Sequence, residues 1–87
     1  MGKAAATPRV LRQLGVRLRR AREAAGLSQE EAAARSGIDY KRWQRIEAGA
    51  ANVTVRTLVR AAGACGVTFW ELTAPAAASK PRRQAPR

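Results

Sequence analysis

Apolar residues recur along the first third of the chain with the spacing of one helix face. The intervals of three and four residues join Leu11, Leu14, Leu18, Ala21 and Ala25. This periodicity is typical of an amphipathic α-helix. Gly26 follows the last apolar position, where a left-handed C-terminal cap is expected. The pattern therefore predicts a first helix that ends at Gly26.

Four shorter helices are predicted downstream, each behind a polar residue suited to cap it. The predicted caps are Ser28, Asp39, Thr54 and Thr68. Ser28 and Thr68 are each followed by a glutamate three residues on, the spacing of a capping box. Residues 53–55 form the longest β-branched run, which is too short to predict a strand. The sequence thus predicts an all-α fold of five helices.

Composition divides the chain into three segments. Residues 1–9 are small or polar with two cations, so they predict a flexible basic N-terminal arm. Residues 75–87 contain three prolines, four cations and no large apolar side chain, so they predict a disordered basic C-terminal tail. The remaining residues, 10–74, are predicted to form one folded domain. The cationic ends either wrap DNA or keep the protein soluble, and the sequence leaves both interpretations open.

Charge limits the choice of partner. The 87 residues include 17 Lys and Arg but 6 Asp and Glu, which gives a net charge of +11. Nucleic acid is the first partner that this predicts. No apolar run is long enough to span a bilayer, so we expect a cytoplasmic protein without a membrane role. One cysteine and no histidine leave no ordinary zinc site or Cys/His nucleophile, so we expect no enzyme activity, metal or cofactor.

The third predicted helix, Asp39 to Ala48, carries two chemically different faces. On a helical wheel, Trp43, Ile46 and Glu47 fall on one side. The other side is formed by Lys41, Gln44, Arg45 and Ala48, with Tyr40 and Arg42 at its edges. Arginine and lysine donate to guanine, and glutamine pairs with adenine, so this face is suited to a major groove. With the preceding helix and the tight link at Gly37, it predicts a helix-turn-helix.

The segment GLSQEEAAARSGIDYKRWQRIEAG closely resembles the Cro-like (XRE-type) phage-repressor family of helix-turn-helix regulators. VTVRTLVRAAGACGVTFWEL resembles the fourth and fifth helices of that family. The resemblance covers about Leu14 to Leu72. It implies a compact five-helix, lambda-repressor-like DNA-binding domain with the helix-turn-helix at helices two and three.

The resemblance also implies roles for individual residues. Gln29 is expected to clamp a DNA phosphate and to brace the recognition helix. The positions that are expected to read bases, or to contact the phosphates next to them, are Tyr40, Lys41, Gln44 and Arg45. The family often carries cations in the loop after helix three, but this loop reads AGAAN. The remaining phosphate contacts are therefore expected from backbone N–H groups and from Arg42, Asn52, Thr54 and Arg56.

Five further residues are expected to have structural roles. By the family pattern, Arg22 on helix one pairs with Glu47 in a partly buried ion pair. Trp43 and Cys65 replace the family's usual aliphatic residues and are expected in the core. Trp70 stands where the family usually has a small or acidic exposed residue. It is expected to anchor a symmetric homodimer, or else to pack under its own C-terminal tail.

Together these features predict a sequence-specific, double-stranded DNA-binding transcriptional regulator, interpreted first as a repressor. We expect a homodimer on a palindromic operator in the bacterial or phage cytoplasm, associated with the nucleoid. Two alternatives share the fold. One is an antitoxin or adaptor that binds a protein partner, and the other is a restriction-modification controller protein.

Overall fold

The chain folds as five α-helices joined by short turns. The computed structural model describes the backbone of residues 2–74 and the side chains of residues 7–74, and it contains no strand in that range. The helices are α1 (Gly2–Ala24), α2 (Gln29–Ser36), α3 (Tyr40–Glu47), α4 (Val55–Ala64) and α5 (Phe69–Thr73). The predicted all-α fold, with the helix-turn-helix at the second and third helices, is confirmed.

The four predicted N-caps are all present. The Ser28 and Thr68 side chains each accept a hydrogen bond from the backbone N–H three residues on, and the backbone N–H of each cap donates to the carboxylate of the glutamate there. Asp39 accepts from the N–H of Arg42, and Thr54 from that of Thr57. These bonds satisfy backbone donors that the first turn of a helix leaves unpaired. Local sequence therefore determines where α2 to α5 begin.

The N-terminal boundary differs from the sequence prediction. Residues 1–9 are expected as a flexible arm, but α1 already begins at Gly2 and continues through Pro8. The three alanines at positions 4–6 have the highest helix propensity of any residue. They favour continuation of α1 upstream of Pro8. The expected tail, residues 75–87, lies outside the described residues.

The core lies between all five helices. Leu18 of α1 and Trp43 of α3 are fully buried, and Cys65 is a buried free thiol. Burial raises the pKa of the Cys65 thiol. The predictions that Trp43 and Cys65 are core residues are therefore confirmed. The other buried apolar residues are Ala32, Ala33, Ile38, Ile46, Leu58, Ala61, Ala62 and Leu72.

Candidate nucleic-acid interface

A short, well-bonded turn joins α2 to α3. Gly37 caps the end of α2 in the left-handed conformation with φ of 73°, which is strained for residues that have a Cβ. The buried Ser36 hydroxyl donates to the Ala33 carbonyl at 3.0 Å and accepts from the Ile38 N–H at 3.2 Å. Arg60 of α4 donates to the Ser36 and Gly37 carbonyls at 3.1 and 3.2 Å. The angle between the two helices is thus held from inside the turn and from α4.

The outer face of α3 is polar, cationic and exposed. Its exposed side chains are Tyr40, Lys41, Arg42, Gln44 and Arg45. The Gln44 amide donates to the Tyr40 hydroxyl at 3.4 Å, and Arg45 donates to the Ala50 carbonyl at 3.2 Å. The opposite face places Trp43 and Ile46 in the core. The four predicted base-reading residues therefore share one exposed surface, and the opposite face of the same helix is packed in the core.

Glu47, at the C-terminal end of α3, connects three elements of the fold. Its carboxylate accepts from Arg22 of α1 at 2.6 and 3.1 Å and from the Gln29 amide of α2 at 3.0 Å. It also accepts from the Trp43 indole N–H at 2.5 Å. The side chains of Arg22 and Glu47 are only 11% and 4% exposed. The structure thus joins the expected ion pair, and Gln29 braces α3 through the same carboxylate.

The electrostatics of this cluster favour the ionised pair. Burial by itself raises the pKa of the Glu47 carboxyl, but hydrogen bonds from Arg22, Trp43 and Gln29 outweigh it, so the pKa lies below its ordinary value. The hydrogen bond to Glu47 likewise raises the pKa of Arg22. Arg22 also donates to the Leu27 carbonyl at 2.9 Å. A buried charge pair of this kind is stable because each charge has several partners.

α1 and α3 approach each other very closely at Gly15. A Cβ at this position would lie 2.3 Å from the Glu47 carbonyl oxygen and 2.7 Å from the Ile46 carbonyl oxygen. Only a residue without a side chain allows the two helices to cross at this distance. The crossing also brings Arg22, two turns further along α1, within reach of Glu47. Gly15 therefore sets how far α3 stands out from the domain.

The residues expected to contact phosphate come from α2, α3, the turn after α3 and the start of α4. Gln29 is half-buried on the α2 side. Arg42 donates to the Asn52 carbonyl at 3.4 Å, and Asn52, Thr54 and Arg56 are exposed. The Thr54 hydroxyl is already engaged with Thr57 as the cap of α4. Its role in the free protein is therefore to cap α4.

Trp70 lies on α5, which packs on α1 and α4. Its side chain is 75% exposed, and its ring meets that of Phe69 edge to face, with centroids 4.9 Å apart. Leu72 is buried on the inner side of the same helix. Trp70 is therefore exposed among residues 7–74, and the tail under which it was alternatively expected to pack lies outside the described residues.

Comparison with known proteins identifies the family. A family model described as a helix-turn-helix domain matches residues 13–74, which include part of α1 and all of α2 to α5. The chain belongs to the helix-turn-helix family of DNA-binding regulators. The family predicted from the sequence is therefore confirmed.

Two relatives of this helix-turn-helix protein are informative. It is 42% identical over 62 residues to the uncharacterized HTH-type transcriptional regulator y4dJ of Sinorhizobium fredii (strain NBRC 101917 / NGR234), covering 71% of this chain and 80% of that protein. Its fold is similar to the crystal structure of the restriction-modification controller protein C.AhdI from Aeromonas hydrophila, with a TM-score of 0.69 and 39% identity. That match covers 71% of this chain and 94% of the other.

Several contacts of this helix-turn-helix protein were not found from its sequence. The i, i+4 spacing of Trp43 and Glu47 is the one local signal among them, since it places the two side chains on one face. Gly15 and Arg60 contact residues more than 20 positions away, and the sequence pattern marks neither.

In the described part of the chain, no three His, Cys, Asp or Glu residues are grouped as a metal site, and no helix has the length and apolarity needed to cross a bilayer.

Proposed function

We propose that this protein is a sequence-specific, double-stranded DNA-binding transcriptional repressor that reads a palindromic operator in the major groove with α3. The observation that carries the proposal is the two-faced build of α3. Its outer side presents cationic and amide groups, and its inner side is fixed by Trp43, Ile46 and the Glu47 cluster. A helix held this firmly aligns donors with base edges without first having to be ordered. The proposed role is non-enzymatic.

Base reading is assigned to the outer face of α3. Lys41 and Arg45 are suited to guanine and Gln44 to adenine, with Tyr40 beside them at the start of the helix. Gln29 on one side of α3, and Arg42, Asn52, Thr54 and Arg56 on the other, are assigned to phosphates. Contacts on both sides fix the register of the helix but carry no sequence information of their own.

We assign the active form to a homodimer with Trp70 in the interface. One recognition helix reads only a few base pairs, and a two-fold dimer reaches half-sites about 34 Å apart. An exposed tryptophan on a small domain is suited to the centre of such an interface. The area that α5 offers is small, so we expect the dimer to be completed on DNA.

A specific regulatory role is favoured by one comparison. The similar structure C.AhdI is named as a restriction-modification controller protein, and the match covers 94% of that chain. Control of restriction-modification genes in the cytoplasm of a bacterium is therefore the second candidate function. It differs from the first in the genes regulated, and both use the same DNA-binding surface.

Selection of bound duplexes from a random pool by the full chain, followed by footprinting, tests the proposal. We expect one enriched palindromic sequence and protection of two half-sites about one DNA turn apart. Recovery of the selected site in front of adjacent methyltransferase or endonuclease genes would support the controller role. If no sequence is enriched over the starting pool, sequence-specific regulation is ruled out.

A further inference from the structure

The turn after α3 has no cation of its own. Residues 49–53 read Gly-Ala-Ala-Asn-Val, and they follow the C-terminal end of a helix, which carries partial negative charge. Phosphates near this turn would therefore meet no positive side chain from the turn itself. The structure brings Arg12 of α1 against this turn, and Arg19 of α1 to a cleft that Ala48 also lines.

Arg12 lies directly against Gly49. A Cβ added at Gly49 would be 2.8 Å from the Arg12 Cα and 2.9 Å from its Cγ, so the base of the Arg12 side chain packs against Gly49, just after the end of α3. The Arg12 side chain is exposed beyond this contact. Gly49 has a φ of 73°, which independently favours glycine. The close approach fixes the backbone and the first side-chain carbons of Arg12 beside this turn, and its guanidinium extends from there.

Arg19 lies further along the same side of α1. Together with Gln29, Gln44 and Ala48 it lines a cleft of about 350 Å³ between α1, α2 and α3, whose floor is the Arg22–Glu47 pair. Gln29 is the proposed phosphate clamp, and Gln44 is a proposed base reader. Arg19 donates to Glu23 at 3.1 Å, but the two side chains are 63% and 53% exposed. Such an exposed pair is weak and easily exchanged for another anion.

From these contacts, and resting on the proposed DNA-binding function, we propose that Arg12 and Arg19 form a cationic edge of α1 that contacts DNA phosphates beside the C-terminal end of α3. Arg12 adds a cation of α1 beside residues 49–53, whose Ala50 and Asn52 carbonyls accept hydrogen bonds from Arg45 and Arg42 of α3. Arg19 exchanges Glu23 for a phosphate next to Gln29. α1 is then a third DNA-binding element, in addition to the two helices of the helix-turn-helix.

A neighbouring face of α1 provides a matched control. Arg9, Arg12 and Arg20 all line one groove to which α3 contributes no residue, but of these three only Arg12 also lies against Gly49. Arg20 is exposed and lies on the same helix as Arg12 and Arg19. Loss of its charge therefore changes the net charge by the same amount without touching the proposed edge. Glutamine is the suitable replacement for Arg12, Arg19 and Arg20, because it removes the charge and keeps most of the aliphatic part of the side chain.

The test measures the affinity of Arg12→Gln, Arg19→Gln and Arg20→Gln for the selected operator and for a short mixed-sequence duplex, between about 50 and about 200 mM salt. Each phosphate contact contributes about 0.9 to the slope of log affinity against log salt. Two protomers lose one contact each, so Arg12→Gln and Arg19→Gln should each flatten the slope by about two on the operator. Both duplexes should be affected, and the selected sequence should not change. Arg20→Gln should leave the slope within error of wild type.

Two outcomes overturn the inference in distinguishable ways. Absence of duplex binding by the wild type overturns the proposed function and the cationic edge with it. Normal wild-type binding, with Arg12→Gln and Arg19→Gln indistinguishable from Arg20→Gln, overturns only the cationic edge. Matching thermal melts of the three variants ensure that slopes are compared between folded proteins.

The exchange at Arg19 has its own double-variant cycle. Glu23→Gln should raise operator affinity, because Arg19 no longer has to leave a carboxylate. In the Arg19→Gln background, the same change should raise affinity less, since only the general loss of negative charge remains. An equal gain in both backgrounds overturns the exchange between Glu23 and phosphate.

Discussion

Arg22 of α1 and Glu47 of α3 form an ion pair with two hydrogen bonds, of 2.6 and 3.1 Å, at the back of the recognition helix. Because Glu47 also accepts from Gln29 and Trp43, one carboxylate links the first three helices. The base-reading surface and the stability of the domain therefore depend on the same group.

Removing either partner of this pair should destabilise the fold strongly. Glu47→Ala and Arg22→Ala are each expected to lower the free energy of unfolding by about 3 to 5 kcal/mol, because the remaining charge is buried without its partner. Urea unfolding measures the loss. The exposed pair Arg19 and Glu23 is the control, and Glu23→Ala should cost at most about 1 kcal/mol. Equal small losses in all three variants would place Glu47 effectively in solvent.

Acid should weaken the domain through Glu47. Since the folded-state pKa of Glu47 lies below its ordinary value of 4.5, its contribution is complete above that value and is lost as pH falls through the folded pKa. Unfolding free energies measured downward from about pH 6 should therefore decline below about pH 4.5. The decline should be smaller in Glu47→Gln. The pKa of Glu31 is also lowered, by its hydrogen bonds with Ser28, so Glu31 contributes to the same loss of stability in acid. Measuring Glu31→Gln in parallel separates its share of the decline from that of Glu47. A curve unchanged by Glu47→Gln would contradict the role of this carboxyl.

Two glycine substitutions should have opposite effects. Gly15→Ala puts a Cβ 2.3 Å from the Glu47 carbonyl oxygen, so α3 must move and stability should fall by about 1 to 3 kcal/mol. Gly63→Ala, in α4, meets nothing within 4 Å and should stabilise the helix by about 0.5 to 1 kcal/mol. Thermal melts of the two variants measure both effects. If Gly15→Ala is as stable as Gly63→Ala, the two helices do not cross at this distance in solution.

Base readers and phosphate contacts should differ in the sequences they affect. Lys41→Ala or Arg45→Ala should cost about 1 to 3 kcal/mol on the best site and relax the preference at one base position. Gln29→Ala should weaken binding to all sequences alike. Repeated selection from a random pool, with affinities on the best site, distinguishes the two classes. If both α3 variants retain the selected sequence and its affinity, α3 is not the reader.

Trp70→Ala should weaken association of two protomers on the operator. The side chain is 75% exposed in the single chain, so its loss should leave the fold intact while removing the anchor of the proposed interface. Sedimentation with and without the palindromic duplex measures this. Val16→Ala, an exposed apolar change on the outer side of α1, is the control. Equal association and equal cooperativity in wild type and Trp70→Ala would rule out Trp70 as the contact, and a monomer on DNA would rule out the dimer.

Local sequence determined the helices and the composition of the recognition surface. Ser28, Asp39, Thr54 and Thr68 begin four helices because their side chains bond to backbone donors within three residues, which depends on nothing else in the fold. The two faces of α3 follow equally from its periodicity. The pairing of Arg22 with Glu47 was predicted through the resemblance to a family, since 25 residues separate the two in sequence.

Only the tertiary structure decided how the helices cross. Two contacts depend on the distance between α1 and α3: that of Gly15 with the Glu47 carbonyl, and that of Arg12 with Gly49. At another distance these residues would not meet. That distance results from packing Leu18, Trp43 and Ile46 together in one core. Apolar periodicity marks the inward face of each helix, but hydrophobic packing is not directional and does not specify which residues of two helices meet. The arginines beside the end of α3 therefore became visible only in the folded chain.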